Sequence, residues 1–239
     1  LKSILYTKIF GYKIDNNKII TNFLKYKIGI NMDKIAAFDP LWEFIKNLAN
    51  CDFPECPYHI DVKNQKVLDI GGFIGETALF FYNFGAKHVK IIEPVYYEYI
   101  KENLILNNLP IDILPYGIGY NKRECVKEAL NSTGLERGIQ CFELVEPETI
   151  IDDYDLIKLD CEGCELSLLK TDCKTLRKAN KCDMEVHYDF ENVIKLIEKF
   201  KECNMNPYKV VKIVPNGELS YLYVINWLLA SILLNKITL

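Results

Sequence analysis

The sequence predicts a doubly wound α/β domain on a mostly parallel seven-stranded sheet, preceded by a small N-terminal extension. Three observations carry this prediction. From Lys66 onward, short apolar runs alternate with stretches of helical periodicity. The runs are apolar at consecutive positions, as in strands buried on both faces. The first run ends in a glycine pair that opens onto a helical pattern, the kind of turn such folds place against a ligand.

The elements follow in order. Residues 4–30 hold short β-like pieces with Asn16-Asn17 as a turn. Asp33 to Leu48 reads as a helix, because Ile35, Phe38, Trp42 and Ile45 recur at near-helical spacing, with Pro40 set against its first turn. Pro54 and Pro57 make 50–63 loop-like, so 1–63 is taken as an extension or cap. Strands are then predicted at Val67–Ile70, Val89–Ile92, Ile111–Leu114, Leu156–Leu159, Met184–Tyr188, Tyr208–Val214 and Leu222–Trp227. Helices are predicted at Ile74–Phe84, Tyr96–Asn107, Glu165–Ala179 and Glu191–Cys203. Right-handed crossovers place these helices on both faces. The segment 120–150 is irregular, with a β excursion near Ile139–Val145. The main domain is 64–227 and an apolar tail occupies 228–239.

The bulk numbers bound the function. The 239 residues carry a net charge of −4, which argues weakly against a dedicated nucleic-acid partner, since phosphate neutralisation needs a basic surface. Lys8, Lys13, Asp15 and Lys18 interrupt any apolar run near the start, so a cytoplasmic location is the default expectation. The nine cysteines are odd in number and lack the spacing of a small secreted scaffold. Cys161-x-x-Cys164 has redox-motif spacing without a thioredoxin context, and reads as a pair of small buried residues. Cys51, Cys56 and His59 have zinc-like spacing but no evident fourth ligand. Leu219 to Leu234 is strongly apolar, yet shorter than the roughly 20 residues of a membrane span and β-like in its first half. It reads as a buried last strand plus tail, with membrane contact through 228–239 as the second reading.

The chemistry concentrates at strand tips. The first strand ends Asp69-Ile70-Gly71-Gly72-Phe73-Ile74-Gly75. Glycine lets the backbone approach a ligand closely, and the N–H groups of the following helix can receive a carboxylate. Asp69 suits a ligand bearing an ammonium group. Phe73 stands where a dinucleotide fingerprint needs its second glycine, which disfavours pyrophosphate and hence a dehydrogenase. The second strand ends Glu93-Pro94, and a carboxylate at that tip can accept hydrogen bonds from ribose hydroxyls. Gly117-Ile118, after the third strand, is placed to border an adenine.

These motifs resemble a known family. The string from Val67 to Pro94 looks like the opening of class I methyltransferases, and specifically of the FkbM type. That type carries an I-K-x-D-x-E-G-x-E signature, which Ile157 to Glu165 matches at every fixed position, and a later E-x-H, matched by Glu185-Val186-His187. The resemblance covers residues 64–227. It implies a Rossmann-like class I methyltransferase fold, S-adenosylmethionine as methyl donor, and O-methylation of a small molecule, sugar or glycan hydroxyl. Gly72-Phe73, Cys161 and Cys164 depart from the commoner residues of the family.

Lys158 and Asp160 share one side of the fourth strand, and a lysine there must be paired. Glu185 or Glu165 is the expected partner. Asp160, Glu162 and His187 are expected to converge beside the donor. His187 is the first choice of general base, Asp160 or Glu162 the competitor. A divalent metal held by all three is a further option. Against the O-methyltransferase stand an N-methyltransferase acting on RNA or protein, whose nucleobase version often uses an N-P-P-Y-like strand tip absent here, and a non-enzymatic nucleotide-binding module.

Overall fold

Five parallel strands form the frame on which the site is built. The computed structural model describes residues 12–35, 41, 45–46, 48–49, 61–126, 140–186, 190–213 and 222–229. The parallel strands are β4 (Lys66–Ile70), β5 (His88–Ile92), β6 (Ile113–Leu114), β10 (Leu156–Leu159) and β11 (Lys181–Val186). A hairpin of β12 (Met205–Ile213) and β13 (Leu222–Leu229) continues the sheet, with β13 antiparallel to β11. The sheet order is β12-β13-β11-β10-β4-β5-β6. The direction of progress reverses between β4 and β10, which makes their carboxyl ends a switch point where ligands bind in open α/β sheets. The α/β class predicted from the sequence is what the chain adopts.

Alternation along each strand divides the core. Val67, Val89, Ile91 and Leu156 face one layer, together with Ile74, Leu79 and Phe81. Leu68, Ile70, Ile92, Ile157, Leu159 and Met184 face the other, with Leu196 and Phe200. Helix α1 (Glu76–Asn83) is buried at every position from Glu76 to Tyr82. Its outer side is covered by an antiparallel meander of β1 (Tyr12–Asp15), β2 (Lys18–Phe23) and β3 (Tyr26–Asn31), which puts Phe23, Ile28 and Ile30 into the same cluster. The predicted Asn16-Asn17 turn joins β1 to β2, with both residues at positive φ (44 and 63). Helix α2 (Tyr97–Leu106) holds the meander through Asn103, whose Oδ1 accepts from the Gly29 N–H at 2.8 Å. The helix predicted at 33–48 does not start at Asp33: Met32–Lys34 is a 3-10 turn and Ile35 is extended, while the later described residues Leu41, Ile45 and Leu48 are helical and buried.

Several elements differ from the sequence reading. Strand β6 has two residues because Pro110 and Pro115 flank it and cannot donate to a ladder. The excursion at 120–150 is a small sheet of β7 (Gly117–Ile118), β9 (Gln140–Val145) and β8 (Arg123–Val126), in that order. A turn helix, α3 (Pro147–Ile150), follows it. The single helix predicted at 165–179 is a 3-10 turn at Cys164–Leu169 and a separate α4 (Cys173–Leu176). Asp172 makes the break: its carboxylate accepts from the Thr175 N–H at 2.8 Å and starts a new helix. Strand β11 begins at Lys181 rather than Met184, because Asp183 is buried in it despite its charge. Helix α5 (Phe190–Glu202) buries Val193, Leu196 and Phe200 on one face.

The cysteines also depart from expectation. Cys161 and Cys164 are disulfide-bonded, as are Cys125–Cys141 and Cys173–Cys203, while Cys182 is free and buried. Cys51, Cys56 and His59 lie outside the described residues. In the C-terminal region, 222–229 is strand, and no helix among the described residues is long and apolar enough to cross a membrane. Residues 230–239 of the tail lie outside the description.

Candidate active site

The glycine turn after β4 is pinned to the strands on both sides. The Gly71 N–H donates to the Ile92 carbonyl of β5 at 2.9 Å, and the Gly71 carbonyl accepts from the Lys158 ammonium of β10 at 2.6 Å. Gly71 lies at φ +81, and a Cβ there would stand 1.7 Å from the Asp160 carbonyl oxygen. Position 71 therefore excludes every side chain on two counts, conformation and space. A Cβ on Gly72 would meet the Ile91 side chain at 2.3 Å. Phe73 sits at φ +43, uncommon for a bulky residue, with its ring edge-on to Tyr96 at 5.0 Å. Gly75 is the N-terminal cap of α1.

Glu93 holds that turn from the next strand. One oxygen accepts from the Phe73 N–H at 3.2 Å, and the other from the Val95 and Tyr96 N–H groups at 2.7 and 3.1 Å. One carboxylate thus fastens both the glycine turn and the entry to α2. Burial pushes its carboxyl above the ordinary range, against the pull of these three N–H groups. Pro94, half-buried, completes the tip.

Beneath the turn lies a charged cluster. Asp69 was expected to face a cationic ligand. Its side chain is instead fully buried, accepts from the Thr77 hydroxyl, and pairs with Lys158 at 3.2 Å. Lys158 was expected to pair with Glu185 or Glu165. The strand register sets it directly opposite Asp69, and its ammonium also lies 3.8 Å from Asp160. Burial works against the charge on Lys158, but Asp69, Asp160 and Glu76 outweigh it and hold the ammonium above its ordinary range. Glu165 is committed to the following loop, where it accepts from the Cys161 N–H at 3.1 Å. Glu76, at the start of α1, accepts from the Ile74 N–H at 3.2 Å, and burial pushes its carboxyl up to about 8.

The signature loop after β10 carries the acids that reach the surface. The Asp160 N–H donates to the Ile70 carbonyl at 3.0 Å, so this loop leaves the sheet beside the glycine turn. The Asp160 side chain is 29% exposed, and Glu162 is exposed at φ +56. The Cys161–Cys164 disulfide closes the loop around Glu162 and Gly163. His187, the third residue expected here, lies outside the described residues. Among the described residues, no group of three or more His, Cys, Asp or Glu side chains could hold a metal ion. Gly117 and Ile118 are buried in β7, where Gly117 packs against Phe142 and Leu144.

Sequence reasoning missed Thr77, Glu76 and the true partner of Lys158. One signal for the last was present. Asp69 and Lys158 are each the penultimate residue of a strand, so aligning the strand tips sets them side by side. No pattern pointed to Thr77.

A parallel sheet with a glycine turn, an acid-tipped second strand and the switch point between them defines a nucleoside-binding α/β enzyme of the class I methyltransferase type. Residues 65–206 match the methyltransferase FkbM domain, and the chain belongs to that family. It carries an S-adenosylmethionine-dependent methyltransferase domain. Solved structures share the fold at low identity. Methanocaldococcus jannaschii Trm5 in complex with adenosine is 15% identical at a TM-score of 0.53, over 91% of this chain and 56% of that one. A complex of aTrm5 with tRNALeu gives 15% and 0.54, over 91% and 54%. M. jannaschii TYW2 with AdoMet gives 14% and 0.51, over 90% and 87%. The chain thus spans little more than half the length of the first two. No curated protein matches it.

One expectation is corrected by these comparisons. The resemblance implied a small-molecule or glycan acceptor, and the acidic net charge argued weakly against nucleic acid. A protein of the same fold was solved with tRNA bound. Net charge sums the whole surface and does not decide what one face of this fold contacts.

Proposed function

We propose that this chain transfers the methyl group of S-adenosylmethionine to an RNA acceptor. The observation that carries the donor half is the Glu93 carboxylate, which fastens the Phe73 N–H of the glycine turn at the switch point. Gly71 and Gly72 pack so closely on the Asp160 carbonyl and the Ile91 side chain that neither position admits a Cβ, which keeps the turn tight at the strand tip. In this reading Gly71, Gly72, Phe73 and the α1 terminus at Gly75 hold the amino-acid end of the donor. Glu93 and Pro94 hold its ribose, and Gly117 and Ile118 border its adenine. Asp69 acts from below, through Lys158 and Thr77. When bound, the donor supplies a methyl group activated by its positive sulfur.

The acceptor half rests on Asp160 and Glu162, the carboxylates of the β10 tip that reach solvent. They take the proton that leaves a ribose hydroxyl or a base nitrogen as it is methylated. His187, two residues after Glu185, is a third candidate for that role. RNA as the acceptor is supported by what the fold's solved relatives act on: Trm5 with tRNALeu is among them.

Calorimetric titration with S-adenosylmethionine, its demethylated product and NAD tests the donor. The first two should bind and NAD should not; binding of NAD alone overturns the reading. Transfer of labelled methyl to total RNA, with nuclease-treated and RNA-free controls, tests the acceptor. Label that survives nuclease as high-molecular-weight material, or that never enters RNA, rejects RNA.

A further inference from the structure

We infer that Lys158 is the positioning residue of the donor crevice: its ammonium sets the glycine turn through the Gly71 carbonyl. The inference rests on the donor reading above and names a residue whose side chain reaches no ligand. Lys158 is 1% exposed, so it cannot contact a bound molecule. What it does contact is the crevice wall. It donates to the Gly71 carbonyl at 2.6 Å, pairs with Asp69 of the adjacent strand β4 at 3.2 Å, and lies 3.8 Å from Asp160 at the tip of its own strand. One cation thus ties the donor-side turn to the acceptor-side loop. Gly71 follows the last residue of β4 at φ +81, outside the strand ladder, and its carbonyl accepts from the Lys158 side chain in place of a ladder partner. A charge-assisted hydrogen bond in a dry site contributes more than a neutral one, and its loss lets the turn relax.

The test compares Lys158→Met, Lys158→Arg and the double variant Lys158→Met with Asp69→Asn. The single Met variant strands a buried carboxylate and can fail to fold. The double variant removes both charges, and Asn keeps an acceptor for the Thr77 hydroxyl. It should fold with a thermal midpoint near that of the parent. Its donor Kd and donor KM should rise about tenfold or more, the size expected for one charged hydrogen bond. Lys158→Arg, which keeps a donor for Gly71, should recover most of the donor affinity. A folded double variant with parental donor affinity overturns the inference, as does an Arg variant no better than Met. If the parent protein itself fails to bind S-adenosylmethionine, the donor reading falls instead.

Discussion

The Lys158 ammonium and the Asp69 carboxylate meet across adjacent parallel strands at 3.2 Å, with side chains 1% and 0% exposed. Breaking one half of such a pair is far costlier than removing both. Asp69→Ala alone should lower unfolding free energy by about 3–5 kcal/mol. Adding Lys158→Met to it should recover much of that loss. Urea titration of Asp69→Ala, Lys158→Met and the double variant against the parent checks this, and simple additivity of the two substitutions would contradict it.

Glu76 should impose a pH dependence on stability. Its carboxyl moves from an ordinary 4.5 to about 8 in the folded chain because it is buried. Below about pH 4 both folded and unfolded chains hold that proton. Between 4.5 and 8 the folded chain keeps it while the unfolded chain has lost it, so the group's contribution to stability falls as pH rises. Asp69 and Glu93 lie displaced in the same direction. Glu76→Gln keeps an acceptor for the Ile74 N–H without a charge. The variant should therefore gain stability over the parent progressively from pH 4.5 to 8, measured by denaturant midpoints. A constant difference across that window would contradict the assignment.

Gly71→Ala should abolish function more than stability would suggest. The added methyl would meet the backbone of Asp160 and Cys161, so the glycine turn and the signature loop must separate. A displacement near 1 Å at a reacting site costs roughly 100-fold in rate. Gly85→Ala is the control: it shares the positive φ (+89) but meets only Lys63, at 3.6 Å and beyond. It should lose about 1 kcal/mol from backbone strain and keep its donor affinity.

Cys173 and Cys203 join α4 to the end of α5 across 30 positions. In the chain-entropy account a loop of that size contributes roughly 3–4 kcal/mol. Replacing both with Ala should lower the thermal midpoint, and the double variant should no longer respond to dithiothreitol at this crosslink. Calorimetry with and without reductant reads both effects.

The strands of the parallel sheet were legible because burial on both faces forces consecutive apolar residues, as in Val67-Leu68 and Ile91-Ile92. Leu156–Leu159 has the bounds read from the sequence. The start of β11 was obscured because Lys181 and Asp183 interrupt its apolar pattern. The break at Asp172 hides because an N-cap aspartate inside a helical pattern looks like a solvent-facing position. That the glycine turn and Glu93 meet at one end of the sheet was legible, since each closes a neighbouring strand. The inward turn of Asp69 was not, because it depends on which residue of a neighbouring strand stands opposite.

The covering of α1 by the N-terminal meander separates two borders that are easily equated. Recognisable kinship spans 65–206. Yet Phe23, Ile28 and Ile30 from before that span seal the helix that starts at the glycine turn, and strand β13 from after it completes the flank of β11. Trimming the gene to the recognisable stretch would lay bare core side chains of α1, Leu79, Phe80 and Phe81 among them, and the product should clump rather than catalyse.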